Sequence, residues 1–352
     1  MTKQKKPNIS IIIVTYNSEK YIPKLFQTLN AQSYKGGLNI IVVDNNSQDS
    51  TVQSIENNEV RVNLIKNQKN KGFAGGVNLG IDEAVKKGAD AVILLNPDTY
   101  VAHDFVEQLV NGAFITDDIA TAQALLLLAQ SPELINTAGN SMHYLGFGYG
   151  DKYKHNVSEI EKDTVFDCTY ASGAAVLIKK EAIEKYGKLI KDYFMYHEDL
   201  EYGIRMLLAG RRNVVVANSR VYHNYSFKES ILKYYFMERN RHRFMFSHFS
   251  IKTLLIIMPI YVVTEIALFA ASFFAHTTRD RLHVWAYFFK LSTWKKIISE
   301  RKMVASIRRV SDSRLIPFLS DGVYFQDNDT NFSRYIANPV WRVYWKLVKR
   351  FI

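Results

Sequence analysis

The residues of this 352-residue chain best placed for chemistry are carboxylates and amides at the ends of apolar runs. In "AVILLNPDTYV", residues 91–101, the run stops at Asn96-Pro97-Asp98. A strand buried on both faces reads as an unbroken apolar run, and open α/β sheets bind ligands just past the carboxyl ends of their strands. Asp98 is then either a ligand contact or a turn residue, since Asn, Pro and Asp all favour turns. "SIIIVTYN" and "IIVVDNNSQDST" repeat the arrangement with Asn17, Asp44 and Asn45. Asp44 could accept from the imide N–H of a pyrimidine ring or from a ribose hydroxyl, or it could cap the helix that follows.

Three further stretches carry chemistry. "NKGFAGGVNLG" offers Gly72, Gly75 and Gly76 ahead of a helix, where small residues let backbone approach a nucleotide and a helix N-terminus favours anions. Its spacing fits neither the dinucleotide fingerprint nor a phosphate-binding P-loop, which weighs against nicotinamide cofactors and ATP. "FMYHEDLEYG" sets Glu198 and Asp199 at a helix start, where one carboxylate could act as a base and both could offset the helix dipole. His223 in "VYHNYS" ends a strand; one His and one Asp could hold a divalent cation on a diphosphate, and a lone His is also a common structural residue.

The elements that must position these residues alternate. "NISIIIVT" reads as a strand, followed by a helix behind Ser18. Leu38 to Val43 is a second strand with a helix capped near Ser47 or Ser50. "VNLIKN" and "ADAVILL" are the third and fourth strands, separated by the glycine loop and its helix. This predicts an α/β fold with a mainly parallel sheet covered on both faces, its strand ends pointing one way so that the polar residues can share a pocket. Further on, "DFVEQLVNGAF" and "HEDLEYGIRMLLAG" read as helices, residues 120–128 and "RNVVVANSRVYHN" as strands, and Gly210 as a helix stop.

Lys plus Arg number 45 against 34 for Asp plus Glu, a formal charge of +11, which points to anionic partners. From Lys233 onward the cations gather among aromatic and aliphatic residues, as in "ERNRHRF" and "WKKIISERK", a pattern suited to a membrane surface and not to a groove for bases. The single cysteine, Cys168, excludes an internal disulfide and a Cys-rich metal site. The first residues lack a secretory pattern, so the catalytic part is expected in the cytoplasm.

Residues 251–275 are apolar apart from Lys252 and Glu265. As a helix they would be long enough to cross a bilayer, at roughly 37 Å. Cations flank both ends (Arg239, Arg241 and Arg243 before; Arg279, Arg281, Lys295, Lys296, Arg301 and Lys302 after), Pro259 is expected to break the helix, and Glu265 at mid-depth is costly. These features favour a broken, re-entrant or in-plane membrane element over a single span, with a soluble hairpin packed on another subunit as the alternative. "WRVYWKLVKRF" near the end reads as an interfacial amphipathic helix.

Taken in order, "SIIIVTYNSEKYI", "IIVVDNNSQDST", "NKGFAGGVNLGI", "VILLNPDT" and "HEDLEYGIR" resemble the family 2 inverting glycosyltransferases of the GT-A fold, in their rhamnosyltransferase-like and galactofuranosyltransferase-like branch. The resemblance covers about residues 8–227. It implies a nucleoside-diphosphate sugar, a dTDP- or UDP-sugar, held by Thr15, Tyr16, Asn17, Asp44 and Asn45, with Gly72, Phe73 and Asn78 beside the nucleotide. The family's metal-binding Asp-x-Asp falls on Asn96-Pro97-Asp98, with Asn96, a weaker ligand, in the first place. By the same resemblance Asp98 and His223 bind Mg²⁺ or Mn²⁺, and Asp199 is the general base, with Glu198 as the alternative. Ala171, Ser172 and Gly173 match the small-residue segment near the acceptor.

The expectation is therefore a GT-A catalytic domain over residues 1–230 and a helical, membrane-associated region over residues 231–352. It would transfer a sugar, rhamnose favoured, to a lipid-linked or growing glycan acceptor at the cytoplasmic membrane face. A homo-oligomer is compatible with this reading. A nucleotidyltransferase of related fold is the alternative enzyme. A nucleic-acid binding protein, suggested by the charge alone, lacks a recognisable module.

Overall fold

Isoleucine and valine at five of the seven positions from Ile9 to Thr15 make the first strand a two-sided core element, and the whole sheet is built around it. The structure, a computed structural model, describes residues 6–225, 231–324 and 332–352. Strands β1 (Ile9–Thr15), β2 (Leu38–Asp44), β3 (Asn63–Lys66) and β4 (Ala91–Leu95) are parallel, with β1 between β2 and β4 and β3 outside β2. Helices α1 (Ile22–Asn30), α2 (Thr51–Glu56) and α3 (Gly72–Lys86) connect them. The helix expected directly behind Ser18 begins three residues later, where Pro23 supplies a preset φ in its first turn.

Beyond β4 the sheet becomes mixed. The chain continues through β5 (Thr99–Val101), α4 (Phe105–Ala113), β6 (Ile119–Leu128), β7 (Ser131–Thr137), β8 (Asn140–His143), β9 (Gly148–Gly150) and β10 (Val165–Asp167). It then forms β11 (Ala175–Lys179), α5 (Lys180–Tyr186), α6 (Glu198–Leu208) and β12 (Arg212–His223). The main path of the large sheet is β10-β12-β6-β11-β4-β1-β2-β3. β11 runs antiparallel to both neighbours, pairing Ala175 with Leu95. The segment that enters β11 therefore starts at the rim where the parallel strands end.

Alternate residues of β1 feed two cores. Ile9, Ile11 and Ile13 pack with α1 and α4, and Ile12 and Val14 pack with α3, α5 and α6. A third core joins β8 and α6 to the C-terminal helices α7 (Ile231–His248), α8 (Ile251–Phe274), α10 (Leu291–Ile307) and α11 (Asn338–Val348), while α9 (Thr278–Phe288) packs against α7 and α8. Leu200 and Ile204 meet Phe244, Ile257, Trp341 and Trp345 there, so the C-terminal helices are built onto the sheet-bearing part through shared apolar contact.

Two expectations about this region change. Pro259 does not break α8, which is continuous from Ile251 to Phe274. Its ring removes one hydrogen bond, to the carbonyl of Leu255, and α11 clamps the helix on both sides of it: Tyr344 donates to the Ile256 carbonyl at 2.7 Å, and Trp341 Nε1 donates to Thr264 Oγ1 at 2.9 Å. Four of the arginines expected as basic flanks, Arg239, Arg241, Arg243 and Arg281, are buried. Arg241 donates to Glu238 and Glu265, Arg281 to the same two carboxylates, and Arg243 to Glu300. Glu265 is thus a paired core charge. Burial acts to raise Glu238, and the combined pull of Arg241, His242 and Arg281 holds it down at about 2.

A second buried pair fixes α6. Arg205 donates from Nε and Nη2 to Glu201, at 2.8 and 2.6 Å, and from Nη1 to the carbonyls of Tyr186 and Lys188. His248 of α7 completes the set at 2.8 Å from Glu201 Oε1. Arg205→Ala leaves Glu201 buried with one partner, and is expected to destabilise the fold by about 3–5 kcal/mol in denaturant unfolding. A loss under about 1 kcal/mol, the range of exposed pairs, would show that water reaches this site.

Candidate active site

The in-register pairing of β1 and β2 brings Thr15 opposite Asp44. Asp44 Oδ1 accepts from Thr15 Oγ1 at 2.9 Å and Ser47 Oγ at 2.5 Å, and Oδ2 accepts from the Ser47 N–H at 2.9 Å. The carboxylate is almost fully buried and rigidly aimed. Tyr16 and Asn17 stand exposed beside it; Asn17, at φ +50°, accepts from the Gln48 N–H. Asn45 faces inward: its Nδ2 donates to the Gly72 carbonyl and its Oδ1 accepts from Asn67. It shapes the glycine loop.

Gly72 has φ +72°, and a Cβ there would meet the Phe194 carbonyl at 2.4 Å, so only glycine fits. The loop lies against the turn that precedes Glu198, with the Ala74 N–H donating to the Phe194 carbonyl. Phe73 packs against Gly173, where a Cβ would come within 3.2 Å of its ring. Asn78 holds the backbone of Leu189 with both amide atoms, Nδ2 to the carbonyl at 2.8 Å and Oδ1 from the N–H at 3.2 Å. Its side chain therefore ties α3 to the segment before α6.

Asp98 and His223 meet although 125 positions separate them. β12 pairs with β5, setting His223 opposite Thr99, and the Asn224 N–H donates to the Asp98 carbonyl. His223 Nδ1 lies 2.9 Å from Asn136 Oδ1, which can only accept, so the ring proton is on Nδ1 and Nε2 presents a lone pair. That lone pair is 3.3 Å from Asp98 Oδ1, a buried oxygen with no hydrogen-bond partner. Two acceptors facing each other need a cation or a proton between them. The donor set, one carboxylate oxygen and one imidazole nitrogen, fits a divalent cation.

Glu198 and Asp199 open α6 behind an unusual turn, in which Phe194, Tyr196 and His197 all have positive φ (+66°, +63° and +67°). Asp199 Oδ1 accepts from the Leu200 N–H at 2.8 Å and Oδ2 from the Gly173 N–H at 3.2 Å. Burial raises the Asp199 carboxyl above its ordinary value despite these bonds. Glu198 is more deeply buried, its Oε2 has no partner, and burial plus the Asp199 charge raise it to about 8. At neutral pH Glu198 holds the proton and Asp199, the more accessible, is the base-competent member. Tyr196 joins the two carboxylate centres: burial, then the charges of Glu198 and Asp98, raise its phenol.

Ala171, Ser172 and Gly173 come in on the β11 approach. Gly173 touches Asp199 as above, the Ser172 N–H donates to Gln123 Oε1 at 2.7 Å, and the Ala174 carbonyl accepts from the Asn96 N–H at 3.0 Å. The structure thus gathers Thr15, Asp44, Gly72, Phe73, Asn96, Asp98, Ala171, Ser172, Gly173, Asp199 and His223 along one rim. Sequence reasoning missed Ser47, Gln123, Asn136, Tyr196 and Asn240. Only Ser47 carried a local signal, its three-residue spacing from Asp44. Asn240 of α7 donates to the carbonyls of Tyr193, Met195 and Tyr196 at 3.0, 3.0 and 2.7 Å, holding the turn before Glu198.

The Glycosyl transferase family 2 signature matches residues 10–187. A low-salt glycan biosynthesis hexosyltransferase of Haloferax volcanii is 27% identical over 221 residues, which is 61% of this chain and 65% of that protein. An N-acetylglucosaminyl-diphospho-decaprenol L-rhamnosyltransferase of Mycobacterium tuberculosis is 23% identical over 239 residues, 61% of this chain and 76% of the relative. The match thus spans just under two thirds of the Haloferax protein's length. Among solved structures, GalNAc-T7 with UDP, GalNAc and Mn²⁺ shares the fold, with a TM-score of 0.59 at 15% identity over 71% of this chain and 49% of that one.

Two outcomes follow from the site geometry. Mn²⁺ affinity, read by electron paramagnetic resonance of free Mn²⁺, is expected to fall about 10- to 100-fold in Asn136→Leu, which frees the His223 ring to turn. Unchanged affinity would mean that His223 takes no part. For Glu198, the raised carboxyl means the folded chain holds a proton that the unfolded chain loses above about 4.5, so stability falls as pH rises through about 8. Glu198→Gln removes this penalty: thermal melts should match the parent below about pH 4 and exceed it above about pH 8.

Proposed function

Since the chain belongs to glycosyl transferase family 2, we propose that it is an inverting glycosyltransferase using a nucleoside-diphosphate sugar. The sugar is rhamnose on a dTDP carrier, with a UDP-sugar next in order, and the acceptor is a lipid-linked or growing glycan at the cytoplasmic face of a membrane. The rhamnosyl and lipid-linked parts draw on the named activity of the Mycobacterium relative. The observation that carries the reading is the convergence of Asp44, the Asp98–His223 pair and Asp199 on one rim.

Each of these has a role. Asp44, fixed by Thr15 and Ser47, accepts from the nucleoside, with Tyr16, Asn17 and Asn45 around it. The glycine loop at Gly72 and Phe73, with Asn78 behind it, closes the nucleotide side. Asp98 and His223 would hold Mg²⁺ or Mn²⁺, which when bound offsets charge on the diphosphate leaving group. Asn96, two residues before Asp98, takes the first place of the metal motif. Ala171, Ser172 and Gly173 leave room for the acceptor against Asp199.

Asp199 takes the proton of the acceptor hydroxyl. The hydroxyl oxygen bonds to the anomeric carbon while the bond to the nucleoside-diphosphate oxygen breaks, with inversion in a single displacement. The bonds from Gly173 and Leu200 orient the Asp199 carboxylate. Neutral Glu198 beside it keeps a second negative charge out of the site. Because burial raises Asp199, the rate is expected to climb with pH through a value above the usual carboxylate range, as base form accumulates.

Release of nucleoside diphosphate from a panel of nucleotide sugars, with a short lipid-linked acceptor and Mn²⁺, Mg²⁺ or chelator, tests the reading. Turnover of one donor should drop about 10²- to 10⁴-fold in Asp199→Asn. Glu198→Gln, which mimics the protonated acid, should stay within about tenfold of the parent. A collapse in Glu198→Gln with Asp199→Asn active would exchange their roles. Release of pyrophosphate from a nucleoside triphosphate would replace glycosyl transfer with nucleotidyl transfer.

A further inference from the structure

Three of the C-terminal helices carry an apolar stripe on the side away from the protein. On α8, Thr253, Ile257, Ile260 and Thr264 face inward, while Ile251, Leu255, Val262, Ile266 and Phe273 form a line down the opposite face; Leu255 is 69% exposed and Ile266 65%. This line runs the full length of the helix, about 36 Å for its 24 residues. On α11, Trp341 and Trp345 are buried, and Val340, Val343 and Leu347, with Ile336 in the turn just before the helix, stand out at spacings of four, three and four. On α10, Leu291, Trp294 and Ile298 repeat the spacing, beside Phe289, which is 88% exposed. No soluble contact accounts for three such stripes among the described residues.

The charge around them has one sign. Residues 251–302 and 332–352 hold thirteen Lys and Arg against three acids, and of these Glu265 and Glu300 are buried in ion pairs. Lys252, Arg279, Lys290, Lys295, Lys302, Lys346 and Lys349 are exposed beside the apolar lines. Two copies of this chain meeting through this face would set like charges together, whereas an anionic lipid leaflet is its complement.

We propose that α8, α10 and α11 form one docking surface for an anionic lipid leaflet, with α8 lying in the plane of the interface and not crossing it. The inner face of α8 excludes a crossing. Glu265, at its middle, is bound to Arg241 of α7 and Arg281 of α9, and the residue before Arg241, Asn240, holds the turn before Asp199. Carrying the centre of α8 to the centre of a bilayer would drag these arginines and the catalytic turn into hydrocarbon. The in-plane arrangement sinks the outer stripe among the acyl chains, leaves the cations at the headgroups and keeps the rim in water. The proposal makes the membrane location under Proposed function specific, and its test does not depend on glycosyl transfer.

The test uses the full chain. Co-sedimentation with phosphatidylcholine vesicles, with and without phosphatidylglycerol, should show binding that needs the anionic lipid and weakens with salt. Two variants, Leu255→Ser/Val262→Ser/Ile266→Ser and Lys290→Glu/Lys295→Glu, should each weaken it at least about tenfold. The second lies on exposed residues and separates lost docking from lost folding, with thermal melts run beside both. For topology, Lys252→Cys and Arg279→Cys stand at headgroup level beside the two ends of α8, the native Cys168 being buried. In sealed inverted membrane vesicles an impermeant maleimide should label both. One end labelled only after detergent would establish a crossing and overturn the proposal. So would a dispersed protein that ignores anionic vesicles, or a stable dimer in which this face is covered. Donor turnover measured on the same samples reports on the glycosyltransferase reading separately.

Discussion

The arrangement of the site depends on a turn that the chain would not adopt unaided. Phe194, Tyr196 and His197 all sit at positive φ just before Glu198, a conformation that costs non-glycine residues of order 1–3 kcal/mol each. What holds it is backbone capture. Asn240 donates to three carbonyls of the turn, Arg239 Nη2 to those of Asp192 and Tyr193, and His197 Nε2 lies 3.0 Å from the Gly146 carbonyl. Burial lowers His197 to about 4, so the ring stays neutral and its contact to a carbonyl fixes the tautomer. The turn then presents Asp199 to Gly173 and brings Phe194 against the glycine loop. The glycine loop and the Glu198–Asp199 pair are set by one constrained segment.

That dependence explains why the C-terminal helices matter to a site made largely by the sheet. α7 supplies Asn240 and Arg239 on its inner side, and Glu238 and Arg241 on the side that meets α8 and α9. Five ionisable groups, Glu238, Arg241, His242, Glu265 and Arg281, share one buried cluster. Two carboxylates and a histidine there lie close enough to suggest a metal site, but both guanidiniums already meet the carboxylates, which leaves no charge for a cation to offset. The cluster is a strut between helices α8 and α9 and the turn that precedes Glu198. Its two arginines and two glutamates cancel, so the +11 charge is carried by residues outside it.

Much of the first half was legible in the sequence because its signals are local. Two-sided apolar runs mark β1, β2 and β4; Ser50 and the glycine loop mark helix starts; Gly210 at φ +75° marks the end of α6. Asp44, Asp98 and Asp199 stood out because each follows a strand or opens a helix. In the second half the same local reading failed for definite reasons. Pro259 was read as a helix break because the pattern of residues 251–275 does not show Tyr344 and Trp341 holding the helix on either side. The arginines around residue 241 were read as surface charge because, apart from Glu238, their carboxylate partners Glu265 and Glu300 lie from about two dozen to some sixty positions away.

By itself the sequence determined the alternation of strands and helices, the types of residue at the strand ends and the apolar character of α8. These rest on periodicity and on turn chemistry, which act over a few residues. Only the tertiary structure decided that β11 enters antiparallel and so delivers Gly173 to Asp199, and that Asn136 turns the lone pair of His223 toward Asp98. The inward and outward faces of α8 were decided there too. Each of these depends on a hydrogen bond or an ion pair between distant segments, and such a pairing exists only once the whole sheet and its helices have closed around it.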